Sequence, residues 1–321
     1  MLTKLKKSIT FFFNSYWLVE YVMLLEYQQL SFRKLDKKPI LISMVDNRRR
    51  GNGLTDRFKG IISVYALAKT IGVPYRCIYT HPVYLTSFLI PNQYDWLPKH
   101  GELDDTVGGM RFKLLRKQRT AKRLLRVLPL TKQVRVYANN DYLDEINRIF
   151  HTEYKWGQLF GELFKVTEPL ESKLQCHLDR IGGPYIACVF RFQALLGDFK
   201  EYNFKPLGET EQQQLIAKNK KALQQITEES AVPVLVTSDS ATFISEIKAL
   251  ANVYTIPGKV VHIDNSADEA EEVYMKSFVD FFMLARAQKV YSVGTKTMYR
   301  TDFPAYAAKV NDVPFERILI N

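Results

Sequence analysis

Three observations make this chain an α/β protein built on parallel sheets. Residues 39–80 run from strand-like PILISMVD through a glycine-containing turn and a helical segment to strand-like PYRCIYT, which is a βαβ unit. From about residue 184 onward, strand-like and helical runs alternate regularly. The 321 residues, 46 % of them hydrophobic and 25 % charged, supply a sizeable core and suit two domains of ordinary size.

The N-terminal stretch MLTKLKKSITFFFNSYWLVEYVMLLEYQQL begins basic and turns apolar, but Asn14, Glu20 and Glu26 interrupt it. A spanning helix wants about 20 consecutive apolar residues, and a carboxylate in mid-span is costly. Residues 8–31 are therefore expected to form a packed or interfacial amphipathic helix rather than an anchor. PILISMVD (39–46) is a short β-rich run ending at an arginine-rich turn. Beyond it Leu54, Phe58, Ile61, Ile62, Tyr65 and Ala68 fall at helical spacing, and Gly72 closes the helix.

The middle of the chain contains RFKLLRKQRTAKRLLRVL (111–128), whose spacing predicts a helix with a basic outer face. That face is either plain solvated surface or a contact for an acidic membrane or an anionic acceptor. YIACVFRF is a strand ending near Arg191, followed by helical ETEQQQLIAKNKKALQQI (209–226). VPVLVTSD (232–239) is a strand, SATFISEIKAL a helix and VYTIPG (253–258) a strand. DEAEEVYMKSFVDFFMLARA (268–287) is a long helix, KVYSVG (289–294) the last strand, and TKTMYRTDFPAYAAKV a loop and helix. This alternation predicts a second parallel α/β domain. The boundary falls within 165–183 by elimination, giving domains of residues 1–170 and 171–321.

The formal net charge of +11 favours anionic partners: nucleotide-sugar or acidic lipid first, nucleic acid last. Cys77, Cys176 and Cys188 form no ligand or disulfide pattern, and the simplest reading is free thiols in a reducing compartment. The expected location is cytoplasmic, with peripheral contact at the inner membrane surface through the basic and N-terminal amphipathic segments.

Several residues could carry chemistry. In RGNGLTDRF (50–58), Gly51 and Gly53 let the backbone approach a ligand closely, and the helix start that follows offers free N–H groups to an anion. Thr55 and Asp56 can cap that helix and Arg57 lies in its first turn, although a simple tight turn explains the glycines equally. The third glycine of a dinucleotide fingerprint is missing. Arg191 is either paired internally with a carboxylate such as Asp198 or aimed as a guanidinium fork at phosphate. Asp239 either caps the following helix or takes the two donors of a guanine edge. Ser292, Thr295, Lys296 and Thr297 line the turn after KVYSVG and make either a phosphate cradle or ordinary loop polarity. Asp280 either partners a basic group across a cleft or faces solvent. There is no D-x-D triplet, histidine cluster, P-loop or G-x-S-x-G elbow. Metal-free chemistry on an anionic donor is the consistent expectation, with no metal site and no cofactor.

At these residues the chain resembles a family. VFRFQALLGDF resembles the His-x-Arg-Phe segment of the metal-independent, inverting fucosyltransferases, which include the protein O-, α1,2- and α1,6-fucosyltransferases. RGNGLTDRFKGIISVYALAKTIG is similar to their N-terminal glycine-rich segment, VTSDS to their acid-ending strand, and FVDFFMLARAQKVYSVGTKTMY to their helix–strand–Ser/Thr segment. The resemblance implies a GT-B fold, two Rossmann-like domains facing a central cleft. It implies a glycosyltransferase that moves a sugar, foremost fucose from GDP-fucose, to a glycan or lipid-linked oligosaccharide acceptor in polysaccharide biosynthesis. In that reading Arg191 holds the β-phosphate, Asp239 meets guanine, and Ser292, Thr295 and Thr297 surround the pyrophosphate. Gly53, Thr55 and Arg57 face the donor from the other domain. Asp56 is the candidate proton acceptor. Val189 stands where the family often has histidine, and Thr55–Asp56 replaces its Gly-Asn pair. The competing readings are a GT-B transferase with another nucleotide-sugar and a non-catalytic basic protein that binds membrane or nucleic acid.

Overall fold

A computed structural model describes residues 16–27, 38–46, 48, 53–106, 108–115, 125, 128, 130–198, 205–258 and 271–320. The elements run α1 (Tyr16–Tyr27), β1 (Leu41–Val45), α2 (Leu54–Thr70), β2 (Tyr75–Tyr79), β3 (Leu89–Pro91), β4 (Met110–Leu115) and β5 (Gln133–Ala138). Next come α3 (Leu143–Phe150), α4 (Trp156–Leu163), β6 (Phe164–Val166), α5 (Glu168–Ile181), β7 (Ile186–Phe190) and α6 (Glu209–Glu229). The chain ends with β8 (Val234–Ser238), α7 (Ala241–Ile247), β9 (Val253–Thr255), α8 (Glu271–Ala285), β10 (Val290–Gly294), α9 (Phe303–Val310) and β11 (Phe315–Leu319). Two compact units result: Met1–Leu85 with Pro91–Lys165, and Thr86–Ile90 with Val166–Asn321.

The first unit holds a parallel sheet of order β2-β1-β5-β4. β1 is buried along its whole length, as a strand covered on both faces must be. On one face Met23 of α1 joins Ile40, Ile42, Met110, Phe112, Leu114 and Tyr137 in a core cluster. α1 is thus packed on the sheet: Glu20 takes the Lys113 ammonium at 2.9 Å and the Leu114 N–H at 3.1 Å. Its outer side leaves Tyr21, Val22 and Leu25 exposed. No helix among the described residues is long and apolar enough to cross a membrane.

The expected basic helix over 111–128 is corrected in its first part. Residues 110–115 form β4, and their burial alternates, with Met110, Phe112 and Leu114 inward and Arg111 and Lys113 half-exposed. That is a period of two, which the long basic run masks in the sequence. Most of the remainder of that range lies outside the described residues.

α2 starts without a side-chain cap on Gly53 and ends at Gly72, whose φ of +68° suits glycine. It presses so closely on β5 that a Cβ at Gly60 would stand 1.9 Å from the Ala138 carbonyl oxygen. A glycine inside a helix is otherwise unfavourable, so this close approach is what it serves.

The second unit holds a five-stranded parallel sheet of order β11-β10-β7-β8-β9. KVYSVG is therefore not the last strand, since β11 follows and pairs with β10. Cys188, Phe190, Phe192, Leu215, Leu223, Val236, Phe243 and Val293 fill one core cluster. Within the same unit the Phe88 ring stacks on Phe278 of α8 at 4.1 Å between centroids. Burial pushes the Cys77 thiol up to about 12 and raises Cys188 as well, so both are inert. α8 is apolar nearly all round beyond its first turn, and the expectation for its buried acid is corrected too. Asp280 neither reaches across a cleft nor faces solvent, because Lys276, one turn earlier on α8, holds it at 2.5 Å with both side chains buried. Burial pushes this carboxyl up and the ammonium pulls it back.

Gly60→Ala is expected to cost about 1–3 kcal/mol of stability, read as a lower urea midpoint, the usual cost of forcing a methyl into a packed contact. An unchanged midpoint would show that α2 and β5 can separate at no cost.

Candidate active site

In a parallel sheet, ligands bind beyond the carboxyl ends of the strands, where successive connections leave in opposite directions. The second unit has one such point. From β7 the chain proceeds to β8 and β9 on one side, while β10 lies on the other side and leads outward to β11. The crevice therefore lies at the tips of β7 and β10. The register places Val189 opposite Ser292 and Phe190 opposite Val293, so Arg191 and the Gly294–Thr297 turn emerge at neighbouring positions.

Arg191 follows the last residue of β7. Its guanidinium meets the Asp239 carboxylate at 2.9 Å, with 18 % of the arginine side chain and 1 % of the aspartate exposed. The arginine side chain is thus partly exposed while its partner's is sealed. Asp239, at the tip of β8, also accepts the Phe192 N–H on Oδ1 at 2.8 Å and the Gln193 N–H on Oδ2 at 2.7 Å. Burial pushes the Asp239 carboxyl up from its usual range, against the pull of Arg191 and the two N–H groups.

Arg191 is paired internally, and two partners expected from the sequence are replaced. The carboxylate beside Arg191 is Asp239, not Asp198. The cap of α7 is Ser240, not Asp239: Ser240 Oγ accepts the Phe243 N–H at 3.0 Å. Asp198 serves that same helix start, taking the Ser240 hydroxyl at 2.8 Å and the Thr242 N–H at 2.7 Å. Asp198, Ser240 and Asp239 together tie the loop after β7 to the loop after β8.

On the neighbouring strand, Thr295 and Thr297 are joined hydroxyl to hydroxyl at 2.8 Å, and Lys296 between them is exposed. Ser292 stands within β10 rather than in the turn, a correction to its expected place. The 294–297 turn is kept close to its strand because Met298 folds under Gly294, where a Cβ would meet its side chain at 3.4 Å.

In the first unit the predicted residues cluster at the start of α2, after β1. Gly51 lies outside the described residues. Neither Thr55 nor Asp56 caps the helix. The Thr55 hydroxyl is buried without a hydrogen-bond partner among the described residues. Asp56 pairs with Lys59 at 3.0 Å on its own helix. Arg57 is buried, donating to the Tyr79 hydroxyl at 3.2 Å and to the His81 carbonyl, with its guanidinium over the Tyr79 ring. Those bonds fasten α2 to the end of β2.

Gln193 was not legible as a site residue. It is buried and adopts φ +53°, a left-handed conformation that glutamine seldom takes. No sequence signal marks it. A hollow of about 530 Å³ lined by Ile186, Ile226, Val232, Tyr291 and Ile318 opens at the opposite, amino edge of the sheet and contains none of the predicted residues.

No protein-family model matches the chain, and no curated protein matches it. Solved structures do. The α1,6-fucosyltransferase NodZ soaked with GDP-fucose is similar with a TM-score of 0.52 at 14 % identity, over 85 % of this chain and 93 % of that one. NodZ from Bradyrhizobium gives 0.53 at 13 % identity, over 85 % and 92 %. A mutant of Arabidopsis thaliana FUT1 in complex with GDP gives 0.58 at 12 % identity, over 93 % and 74 %. The fold is thus the α/β GT-B fold of these fucosyltransferases.

Ser240→Ala removes a buried cap and the partner of Asp198, and is expected to cost about 1–2 kcal/mol by denaturant titration. A change near zero would mean that Asp198 holds the helix start unaided.

Proposed function

We propose that this protein is an inverting glycosyltransferase that takes its sugar from a GDP-sugar, foremost GDP-fucose, and passes it to a glycan acceptor. The observation that carries the reading is Arg191, presented at the tip of the central strand beside a hydroxyl-bearing turn, in a fold shared with fucosyltransferases solved with GDP or GDP-fucose.

Breaking the bond between the anomeric carbon and the β-phosphate oxygen leaves its electron pair on GDP. Arg191 supplies a fixed positive charge where that negative charge grows, and its planar fork suits two phosphate oxygens. The hydroxyl groups of Thr295 and Thr297 add neutral donors. Such groups lower the barrier because they are oriented before the charge appears. The acceptor hydroxyl attacks from the opposite face and gives its proton to a base or to water. Asp56, our candidate base, is paired with Lys59 on its own helix. A different nucleotide-sugar is the second reading, favoured by Val189, an apolar residue where the resembling enzymes often carry histidine.

The reading also places the protein at an acidic membrane surface, by way of the exposed Tyr21, Val22 and Leu25 of α1 and the basic residues preceding it in sequence. Flotation with phosphatidylserine vesicles at low salt tests this, and protein that stays at the bottom of the gradient refutes it.

The central test is donor hydrolysis over a panel of nucleotide-sugars, which needs no acceptor. GDP-fucose is expected to turn over fastest and EDTA to leave the rate unchanged, since the charge on the leaving group is met by Arg191. Arg191→Ala is expected to lower turnover by about 10²–10³-fold with the fold intact. Equal turnover in the variant would remove Arg191 from the reaction. Preference for a UDP-sugar would select the second reading.

A further inference from the structure

The resemblance gives Asp239 to the guanine base, but its surroundings give it other work. A carboxylate that reads guanine must point both oxygens at N1–H and the 2-amino group. Asp239 points neither at open space. Oδ2 takes the Arg191 guanidinium at 2.9 Å and the Gln193 N–H at 2.7 Å, and Oδ1 takes the Phe192 N–H at 2.8 Å. The side chain is 1 % exposed, whereas that of Arg191 is 18 % exposed. The aspartate therefore binds three consecutive residues leaving β7 and is itself sealed, while part of the Arg191 side chain stays exposed.

The backbone supports the same assignment. Gln193 sits at φ +53°, a conformation that costs a non-glycine residue energy and persists only where the surroundings enforce it. Its N–H on Asp239 is such an enforcement. Asp239 is in turn set at the tip of β8 by strand register, since Phe190 pairs with Ser238, and by the Ser240–Asp198 contact that follows it.

We infer that Asp239 is a positioning residue for the diphosphate, fixing the direction of the Arg191 guanidinium and the turn at Gln193, and that base recognition lies elsewhere in the site. This rests on the nucleotide-sugar reading above. A preset guanidinium pays no orientation cost when the diphosphate arrives, so the contribution of Asp239 falls on the phosphates and not on the purine.

Calorimetric titration of the full chain with GDP and inosine diphosphate, which lacks the 2-amino group, separates the roles. Asp239→Asn is expected to weaken both nucleotides by the same factor, about 10- to 100-fold, with full stoichiometry. A merely structural role would instead lower the stoichiometry and leave the affinity of the folded fraction unchanged. The double variant Arg191→Ala/Asp239→Asn is expected to lose no more than Arg191→Ala alone, because the two act as one unit. Asp239→Glu keeps the charge but moves it by one methylene, and should show the same equal loss should the asparagine variant fold poorly. The inference is overturned if either Asp239 variant loses the preference for GDP over inosine diphosphate while Arg191→Ala keeps it. It is overturned as well by additive losses in the double variant. Wild-type protein that binds GDP, whatever the variants do, leaves the functional reading standing. Wild-type protein that binds no nucleoside diphosphate overturns both.

Discussion

A buried carboxylate must be given donors or it will not stay charged, and in this protein that constraint is met in a way that shapes the second unit. Asp239 collects its donors from the first three residues after β7. The strand end, the turn and the direction of one arginine are therefore settled together. Removing any one donor would leave the others holding a desolvated charge, which is why such groups tend to act as a unit.

The two sheets use their carboxyl edges differently. In the first unit the cation near the start of α2, Arg57, is drawn inward, where Tyr79 and the His81 carbonyl hold it as a brace between helix and strand. In the second, Arg191 is held by the sealed Asp239 carboxylate and stays partly exposed. One residue type at the same kind of place in a βα connection thus serves packing in one case and presents charge in the other. What separates them is the acceptor: the Tyr79 hydroxyl and the His81 carbonyl hold Arg57, whereas the Asp239 carboxylate holds Arg191.

Much of this was legible in the sequence. Buried parallel strands read as unbroken apolar runs with polar tips, so YIACVF, VPVLV and KVYSV were plain, as was Arg191 at the tip of the first. β4 was not, because Arg111 and Lys113 continue into a longer basic run whose bulk suggests a helix. The Lys276–Asp280 pair is legible from its four-residue spacing on a helix. The choice between Asp239 and Ser240 as the α7 cap was not available. Both are good cap residues, and only the donors after β7, distant in sequence, decide between them. Gln193 was hidden for a similar reason, since its conformation is imposed by a carboxylate 46 residues away.

The stack of Phe88 on Phe278 gives the second unit a particular history during synthesis. Phe88 leaves the ribosome roughly 190 residues ahead of its partner, which at about 5–20 residues per second is a wait of roughly 10–40 s. Throughout that interval the Phe88 ring lacks its stacking partner. The segment that carries it, Thr86–Ile90, lies between two stretches of the first unit, so a fragment beginning at Val166 would be made without it.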